Sequence, residues 1–215
     1  RCRTRLRCDN RKYQPMKILV IGGTGTIGKK VSECLRDKHE VITAGTSSGD
    51  IQVDMSDSSS IQNMFDELGA LGAVVVIAGD AKWDSFDNLS EEDFYIGIKS
   101  KLMGQVNVVR IGKEYLNDSG SFTLTSGVLA DDPVGKTTSA AMVNGAINSF
   151  VKAAALELKN GIRINAVCAD LVEDSFEKYK DYFPGNTPVS MRKVIDAYVK
   201  CIEGKSNGKI LRISA

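Results

Sequence analysis

From Met16 onward, short β-branched apolar runs alternate with longer segments of helical periodicity. Runs that are apolar on both faces are typical of strands buried between two helical layers, as in a parallel sheet. The alternation therefore predicts a single α/β domain over residues 16–215, with a doubly wound parallel sheet of the Rossmann type. We predict strands over residues 18–21, 41–44, 73–77, 121–125, 162–167 and 210–213. We predict helices over residues 26–36, 58–68, 91–116, 139–159 and 191–203.

The net charge of the chain hides an uneven distribution. The 28 Lys and Arg residues nearly balance the 27 Asp and Glu residues, and the total of +1 argues against a strong nucleic-acid or membrane partner. Residues 1–15, however, hold six basic residues and one acid, which leaves 22 basic and 26 acidic residues for residues 16–215. The exclusion of nucleic acid is therefore stronger for the mildly acidic domain than the total suggests.

The basic leader, residues 1–15, has too few apolar residues to bury a face, so we expect it to lie outside the fold. Three interpretations stay open: a translated upstream or expression-derived tail before a start at Met16, a solvated arm with weak affinity for polyanions, or a short targeting segment. The leader has no hydrophobic core of the kind that secretion signals need.

The cysteines and the hydropathy pattern indicate a cellular compartment. The five cysteines are scattered and form no C-x-x-C pair, which is typical of free thiols in a reducing compartment. The longest wholly apolar stretch, residues 73–78, is far shorter than the roughly 20 residues needed to span a bilayer. We therefore expect a cytoplasmic protein without a transmembrane segment. A single histidine, His39, and no clustered cysteines make a transition-metal site unexpected.

A glycine-rich turn follows the first predicted strand. Gly23, Gly25 and Gly28 satisfy the pattern G-x-G-x-x-G between a buried strand and an amphipathic helix. Glycines there permit a tight turn, close approach of the backbone to a pyrophosphate, and packing of the helix on the strand. The helix also offers free N–H groups to phosphates. A glycine turn kept for packing alone is the alternative. The predicted dinucleotide site comprises Gly22, Gly23, Thr24, Gly25, Thr26, Ile27 and Gly28.

The end of the second predicted strand bears on which dinucleotide binds. An NAD-binding protein normally places an acid there, on the adenosine ribose. This chain has Ala-Gly-Thr-Ser-Ser at residues 44–48, so Thr46 and its neighbours offer hydroxyls and no carboxylate that would repel a 2′-phosphate. No Arg or Lys is present in this segment to pair with that phosphate. The residues favour NADP and leave NAD open.

Several motifs are shared with a known family. They are GGTGTIG at 22–28, Val-Asp-Met at 53–55 after that family's third strand, Ala-Gly at 78–79 after its fourth, Thr-Ser at 125–126 after its fifth, and GIRINAV at 161–167. With these motifs the chain resembles the short-chain dehydrogenase/reductase family across residues 16–215. The resemblance implies that Asp54 bonds the adenine amino group and that Met55, Ala78 and Gly79 also lie at the cofactor. For Asp54, a turn or N-cap role is the alternative.

The catalytic positions depart from the family pattern of Asn, Ser, Tyr and Lys. By helix register Ser126 occupies the serine position, but the Tyr-x-x-x-Lys pair falls on Ala140 and Asn144. The asparagine position falls on Lys101. A register shifted by one would place Ser139 at the tyrosine position, again without a phenol. In this respect the chain resembles a small bacterial subgroup of about this length that lacks the Tyr-x-x-x-Lys pair.

Lys101 and Asn144 thus carry an ammonium and an amide in exchanged positions. If the two helices pack as in the family, the two groups meet near the nicotinamide ribose. We predict that Ser126 polarises a substrate carbonyl, that a desolvated Lys101 donates the proton, and that Asn144 belongs to the same site. The alternative for Lys101 is an exposed helix lysine, or a contact to ribose or phosphate.

Residues 170–188 interrupt the alternation with two prolines, four aromatic residues and five acids. An insertion of this length between a strand and a helix is typical of an active-site lid. Tyr179 or Tyr182 could replace the missing phenol, although lid aromatics more often wall a substrate pocket. Trp83 could line the same pocket or have a plain packing role. His39 precedes the second predicted strand and is not expected to be catalytic.

Three functions follow, in order of preference. The first is an NAD(P)-dependent oxidoreductase that transfers hydride between nicotinamide and a small carbonyl or alcohol. The cofactor would carry out the hydride chemistry, and the protein would supply orientation and electrostatics. The second is a catalytically inactive NAD(P)-binding sensor or interaction protein. The third is a protein that retains only the fold and not the function of the family. The resemblance also implies a homodimer or homotetramer that packs through segments 91–116 and 139–159.

Overall fold

The computed structural model describes residues 14–215. Residues 1–13 of the basic leader lie outside the described residues, and so do Cys2 and Cys8. The predictions for the leader therefore stay predictions.

A seven-stranded sheet forms the centre of the molecule. Its strands are β1 (Lys17–Ile21), β2 (Glu40–Gly45), β3 (Ile51–Gln52), β4 (Leu71–Val76), β5 (Leu116–Thr125), β6 (Arg163–Ala169) and β7 (Ile210–Ile213). Every neighbouring pair is parallel, and the strand order is β3-β2-β1-β4-β5-β6-β7. The chain thus winds outward from β1 in one direction and from β4 in the other. This topology confirms the predicted doubly wound α/β fold.

Helices cover both faces of the sheet. They are α1 (Thr26–Arg36), α2 (Ser58–Leu68), α3 (Glu91–Gly97), α4 (Gly104–Gly112), α5 (Thr138–Glu157), α6 (Phe176–Tyr179) and α7 (Met191–Glu203). One core packs α2, α4 and α5 on the sheet, and the other packs α1 and α7. Because β1 is buried on both faces, Leu19 and Ile21 belong to the first core, whereas Ile18 and Val20 belong to the second.

The predicted single helix over residues 91–116 is wrong. α3 ends at Gly97, Ile98–Met103 form a π-helical turn, α4 ends at Gly112, and Leu116 already begins β5. An α-helix and a π-turn bury similarly spaced residues, so periodicity could not locate the wider turn. The short edge strand β3 was not among the predicted strands, since two residues show no alternation.

Three other helices have the predicted bounds: α1, α2 and α7. Local signals explain this agreement for α2, where the Asp57 carboxylate accepts the N–H of Ser59 at 2.8 Å as an N-cap and Gly69 follows the last residue with φ of +67°. No helix in residues 14–215 has the length and apolar character needed to cross a membrane.

Candidate active site

The predicted site residues gather at the carboxyl edge of the sheet. The turn after β1, the loop after β4 and the loop after β5 meet there, beside the point between β1 and β4 where the winding direction reverses. Ligands of open parallel sheets bind outside such a switch point. The fold therefore brings the predicted cofactor residues and the predicted catalytic residues to one place.

Close contacts explain three glycines of the turn after β1. Gly22 has φ of +80°, and a Cβ there would lie 2.3 Å from the carbonyl oxygen of Ile77. A Cβ on Gly28 would lie 2.0 Å from the carbonyl oxygen of Gly22. A Cβ on Gly23 would lie 2.7 Å from Cγ2 of Thr43. Close packing within the turn and against the sheet accounts for glycine at these three positions.

Packing does not account for Gly25, the N-cap residue of α1. Its φ is −73°, and a Cβ there would meet only the carbonyl oxygen of Gly22, at an ordinary 3.5 Å. No side chain caps the helix, and its first turn carries no acid. The first N–H groups of α1 are thus left for an anion at the positive end of the helix dipole. A phosphate close to the backbone explains this glycine, so the residues present fit a dinucleotide.

Hydroxyl groups flank the turn at the end of β2. The Thr24 and Ser48 hydroxyls lie 2.7 Å apart in a hydrogen bond, and Thr46 is exposed beside them. The nearest carboxylate in the sequence, Asp50, accepts the backbone N–H and the hydroxyl of Thr43, each at 2.8 Å. These bonds lower the pKa of Asp50. The Asp50 carboxylate is thus occupied by hydrogen bonds within the β2 loop. The hydroxyls of Thr24, Thr46 and Ser48 are the remaining polar groups that a ligand would contact there.

Asp54 and Met55 follow β3. Oδ1 of Asp54 accepts the Ser56 N–H at 2.8 Å and the Ser56 hydroxyl at 2.7 Å, and these bonds lower the pKa of Asp54. This is the turn role given above as the alternative, whereas the N-cap of α2 is Asp57. Met55 is buried against Gly104. The adenine contact of Asp54 stays a prediction.

A cavity of about 330 Å³ opens beside the glycine turn. The two groups of predicted residues meet there: it is lined by Ile27, Ala78, Gly79, Lys101, Ser126 and Asn144. Lys101, from the π-helical turn, and Asn144, from α5, line the same cavity, and their exchange relative to the family's catalytic positions stays a prediction.

Lys101 is partly buried and lies across the loop after β4. Gly79, with φ of +111°, leaves room for it, because a Cβ on Gly79 would lie 2.6 Å from Cα of Lys101. Desolvation lowers the pKa of Lys101 to about 8, although the carboxylate of Asp80 and the thiol of Cys168 oppose this effect. The alternative of an exposed helix lysine does not fit this environment. Lys101 can both donate and accept a proton near neutral pH.

Ser126 and Asn144 line the cavity, and each carries a buried side-chain oxygen that is unsatisfied. Within residues 14–215, the buried Ser126 hydroxyl and the Oδ1 atom of Asn144 have no hydrogen-bond partner. Burial raises the pKa of the Cys168 thiol, and the neighbouring Ser126 hydroxyl opposes this effect. Buried polar atoms without partners are destabilising, and Thr123, Ser139 and Asn148, which do not line the cavity, carry such atoms as well.

Comparison with known proteins agrees with this fold. A family model described as enoyl-(acyl carrier protein) reductase matches residues 26–190. The chain belongs to the short-chain dehydrogenase/reductase family.

Individual relatives support this assignment. The short-chain dehydrogenase/reductase ucsE of an Acremonium species is 24% identical over 200 residues, which cover 77% of this chain and 75% of ucsE. The crystal structure of protein lin1944 from Listeria innocua is 44% identical with a TM-score of 0.90, covering 92% of this chain and 98% of lin1944. A small-chain dehydrogenase in complex with NADPH is 25% identical with a TM-score of 0.83, covering 94% and 97% of the two chains.

The sequence resemblance places the family's tyrosine position on Ala140, which is apolar. Ala140 is 4% exposed and packs in a small core with Leu129, Leu171 and Phe183. Ser139, at the shifted register, is fully buried, and its hydroxyl has no partner among the described residues. Neither register places a phenol at this point of α5.

Sequence reasoning missed one phenol that does line the cavity. Tyr198 lies on α7 and is fully buried, and its hydroxyl lies 2.7 Å from the Thr125 hydroxyl in a hydrogen bond. Burial raises the pKa of Tyr198. A tyrosine at an apolar position of an amphipathic helix was the available signal, because a buried hydroxyl needs a polar partner.

The lid and the loop after β4 form the far wall of the cavity. Trp83, Tyr179 and Phe183 line it, as the sequence suggested for Trp83 and the lid aromatics. Tyr182 packs against Trp83 but does not line the cavity. His39 precedes β2 at the opposite edge of the sheet, where it contacts Glu203 at 3.3 Å. Residues 14–215 contain no cluster of His, Cys, Asp and Glu suited to a metal ion.

Proposed function

We propose that this protein is an NADP-dependent reductase of small carbonyl compounds with a lysine in place of the usual tyrosine. The observation that carries the proposal is the cavity beside the glycine turn, which the desolvated Lys101, Ser126 and Asn144 line together. The similarity to a dehydrogenase crystallised with NADPH supports the choice of NADPH as reductant, as does the set of hydroxyls after β2.

The cofactor would be held by the chain's own donors. The N–H groups at the start of α1 would bind the pyrophosphate, and the hydroxyls of Thr24, Thr46 and Ser48 would bind the 2′-phosphate. When bound, NADPH supplies the hydride. The protein itself orients the substrate carbonyl and provides the proton.

Ser126 and Lys101 have different roles at the substrate carbonyl: Ser126 polarises it, and Lys101 donates the proton. The Ser126 side chain lines the cavity, and its hydroxyl would donate to the substrate oxygen. A protonated Lys101 donates its proton to that oxygen as negative charge develops, because a pKa of about 8 makes it a far stronger acid than an ordinary lysine. The carboxamide of Asn144 lies on the same cavity and holds the reacting groups in place.

A second function, an inactive NADP-binding sensor, is favoured by one observation. Ala140, on which the resemblance places the family's tyrosine position, packs in an apolar cluster and offers no proton donor there. Binding without turnover would identify the sensor.

The test combines cofactor binding with the pH dependence of turnover. Calorimetric titration should show NADPH binding more tightly than NADH. Carbonyl reduction should fall as the pH rises through about 8, because Lys101 must be protonated to act as an acid. Alcohol oxidation should rise over the same interval, because it needs the neutral amine. Lys101→Met should reduce turnover at least 100-fold, within the usual range for loss of a general acid.

Lys99→Met is the matched control, since Lys99 lies in the same π-helical turn and is exposed. It should leave turnover within about twofold of the original protein. Undiminished turnover in Lys101→Met would exclude lysine as the proton donor. Failure to bind either dinucleotide would leave only the scaffold hypothesis.

A further inference from the structure

The far wall of the cavity is built from aromatic rings that contact one another. The Trp83 ring centre lies 5.4 Å from that of Tyr179, 5.3 Å from that of Tyr182 and 6.4 Å from that of Phe183. The interplanar angle with Tyr182 is 81°, an edge-to-face arrangement favoured by aromatic quadrupoles. Contacts on several sides hold the Trp83 indole in one orientation.

Charge is distributed unevenly around the cavity. Its fixed charges belong to Lys101 and Asp170. Lys101 lies against Gly79, and the Asp170 carboxylate accepts the Leu171 N–H at 2.7 Å. Trp83 and Phe183 bring only rings to the cavity. A carboxylate bound against them would lose hydration without gaining a partner.

We propose that Trp83, Leu129, Leu171, Tyr179 and Phe183 form a lid subsite that binds an uncharged, flat apolar group, such as an aryl ring, carried by the carbonyl substrate. The subsite rests on the proposed function for the carbonyl itself. The cavity volume of about 330 Å³ is near the low end of ligand pockets, roughly 300–1,000 Å³, and the nicotinamide must share it. One ring with a short carbonyl substituent therefore fits better than a long chain or a fused ring system.

Trp83 is the only tryptophan of the chain, so its fluorescence reports directly on the subsite. The probes are acetophenone, 2-butanone and benzoate, which separate the contributions of the ring and of the charge. Acetophenone should change the fluorescence saturably, with a dissociation constant at least tenfold below those of the other two. Equal affinity for acetophenone and 2-butanone, or for acetophenone and benzoate, would overturn the subsite.

Variants separate the subsite from the chemistry. Trp83→Leu should raise KM for acetophenone about tenfold and leave kcat within about threefold, because the ring binds away from the reacting carbonyl. Phe86→Leu is the control, since Phe86 follows shortly after Trp83 and is 69% exposed. A fall in kcat with KM unchanged would contradict the assignment. If Trp83→Leu does not fold, Tyr179→Leu should weaken the fluorescence response about tenfold.

The two proposals fail in different ways. Calorimetry with NADPH tests the cofactor without using the lid. NADPH binding without any preference for acetophenone would refute the subsite and leave the proposed function standing. Acetophenone binding without NADPH binding would refute the reductase and leave an aryl-binding pocket.

Discussion

The Lys101 ammonium is partly buried, and burial disfavours its charged form. Its pKa falls from 10.5 to about 8 through desolvation. Below pH 8 the amine is charged in both the folded and the unfolded states, and the folded state is destabilised by at most about 3 kcal/mol, at roughly 1.4 kcal/mol per pKa unit. Above pH 8 the folded state releases the proton while the unfolded state keeps it, so the penalty shrinks. This is the pattern expected of a residue retained for chemistry.

Removing the charge should therefore stabilise the protein. Lys101→Met should raise the free energy of unfolding by about 1–3 kcal/mol at pH 7, and the gain should be smaller at pH 9.5. Urea unfolding at the two pH values measures both quantities. Lys99→Met should stay within about 0.5 kcal/mol of the original protein, as is usual at an exposed site. A less stable Lys101→Met would mean that the ammonium has a favourable partner.

At the scale of elements, the π-helical turn Ile98–Met103 and the loop after β4 hold each other in place. The Ser100 hydroxyl donates to the carbonyl oxygen of Asp80 at 3.0 Å, and the Asp80 N–H donates to the same hydroxyl at 3.3 Å. Gly79 lets the loop lie directly against the backbone of Lys101. The position of the lysine thus depends on a glycine in another element.

Gly79→Ala tests that dependence. The added Cβ would lie 2.6 Å from Cα of Lys101, and φ of +111° is unfavourable for alanine. The free energy of unfolding should fall by at least about 2 kcal/mol, as measured by urea unfolding. Gly145→Ala on α5 is the matched change, because nothing lies within 4 Å of its Cβ position. It should raise stability by about 0.5–1 kcal/mol through helix propensity. Equal effects would contradict the tight contact.

At the scale of the whole molecule, the outer faces of α4 and α5 border a groove of about 670 Å³. Val109 and Phe150 line it, and Leu156 on α5 is 88% exposed. These are the segments through which the family resemblance implies a homodimer. Oligomeric state is thus a prediction with a defined surface.

Light scattering should give the mass of a dimer or a tetramer, and Leu156→Lys should shift the population toward monomer. A lysine there would bring two like charges together across a two-fold interface. Phe86→Lys also places a charge at an exposed apolar position, but on the loop before α3, and should leave the mass unchanged. A monomer in the original protein at micromolar concentration would contradict the prediction.

The architecture could be predicted almost entirely from the sequence. Runs apolar on both faces require a sheet covered on both sides, and Asp57, Gly69 and Ser190 mark helix ends with local hydrogen bonds and backbone geometry. The glycine turn was identified because its neighbours along the chain supply its context. These signals depend on a few neighbouring residues, so they can be recognised without the tertiary structure.

The active-site cavity required the fold. Lys101, Ser126, Asn144 and Tyr198 come from three helical segments and the loop after β5, and their proximity follows from packing across the sheet. The wider turn that carries Lys101 leaves the sequence periodicity nearly unchanged. Desolvation of its ammonium depends on atoms distant in the chain. The sequence by itself determined the sheet and the glycine turn, whereas the tertiary structure decided which polar groups share a cavity, because burial is a property of the packed whole.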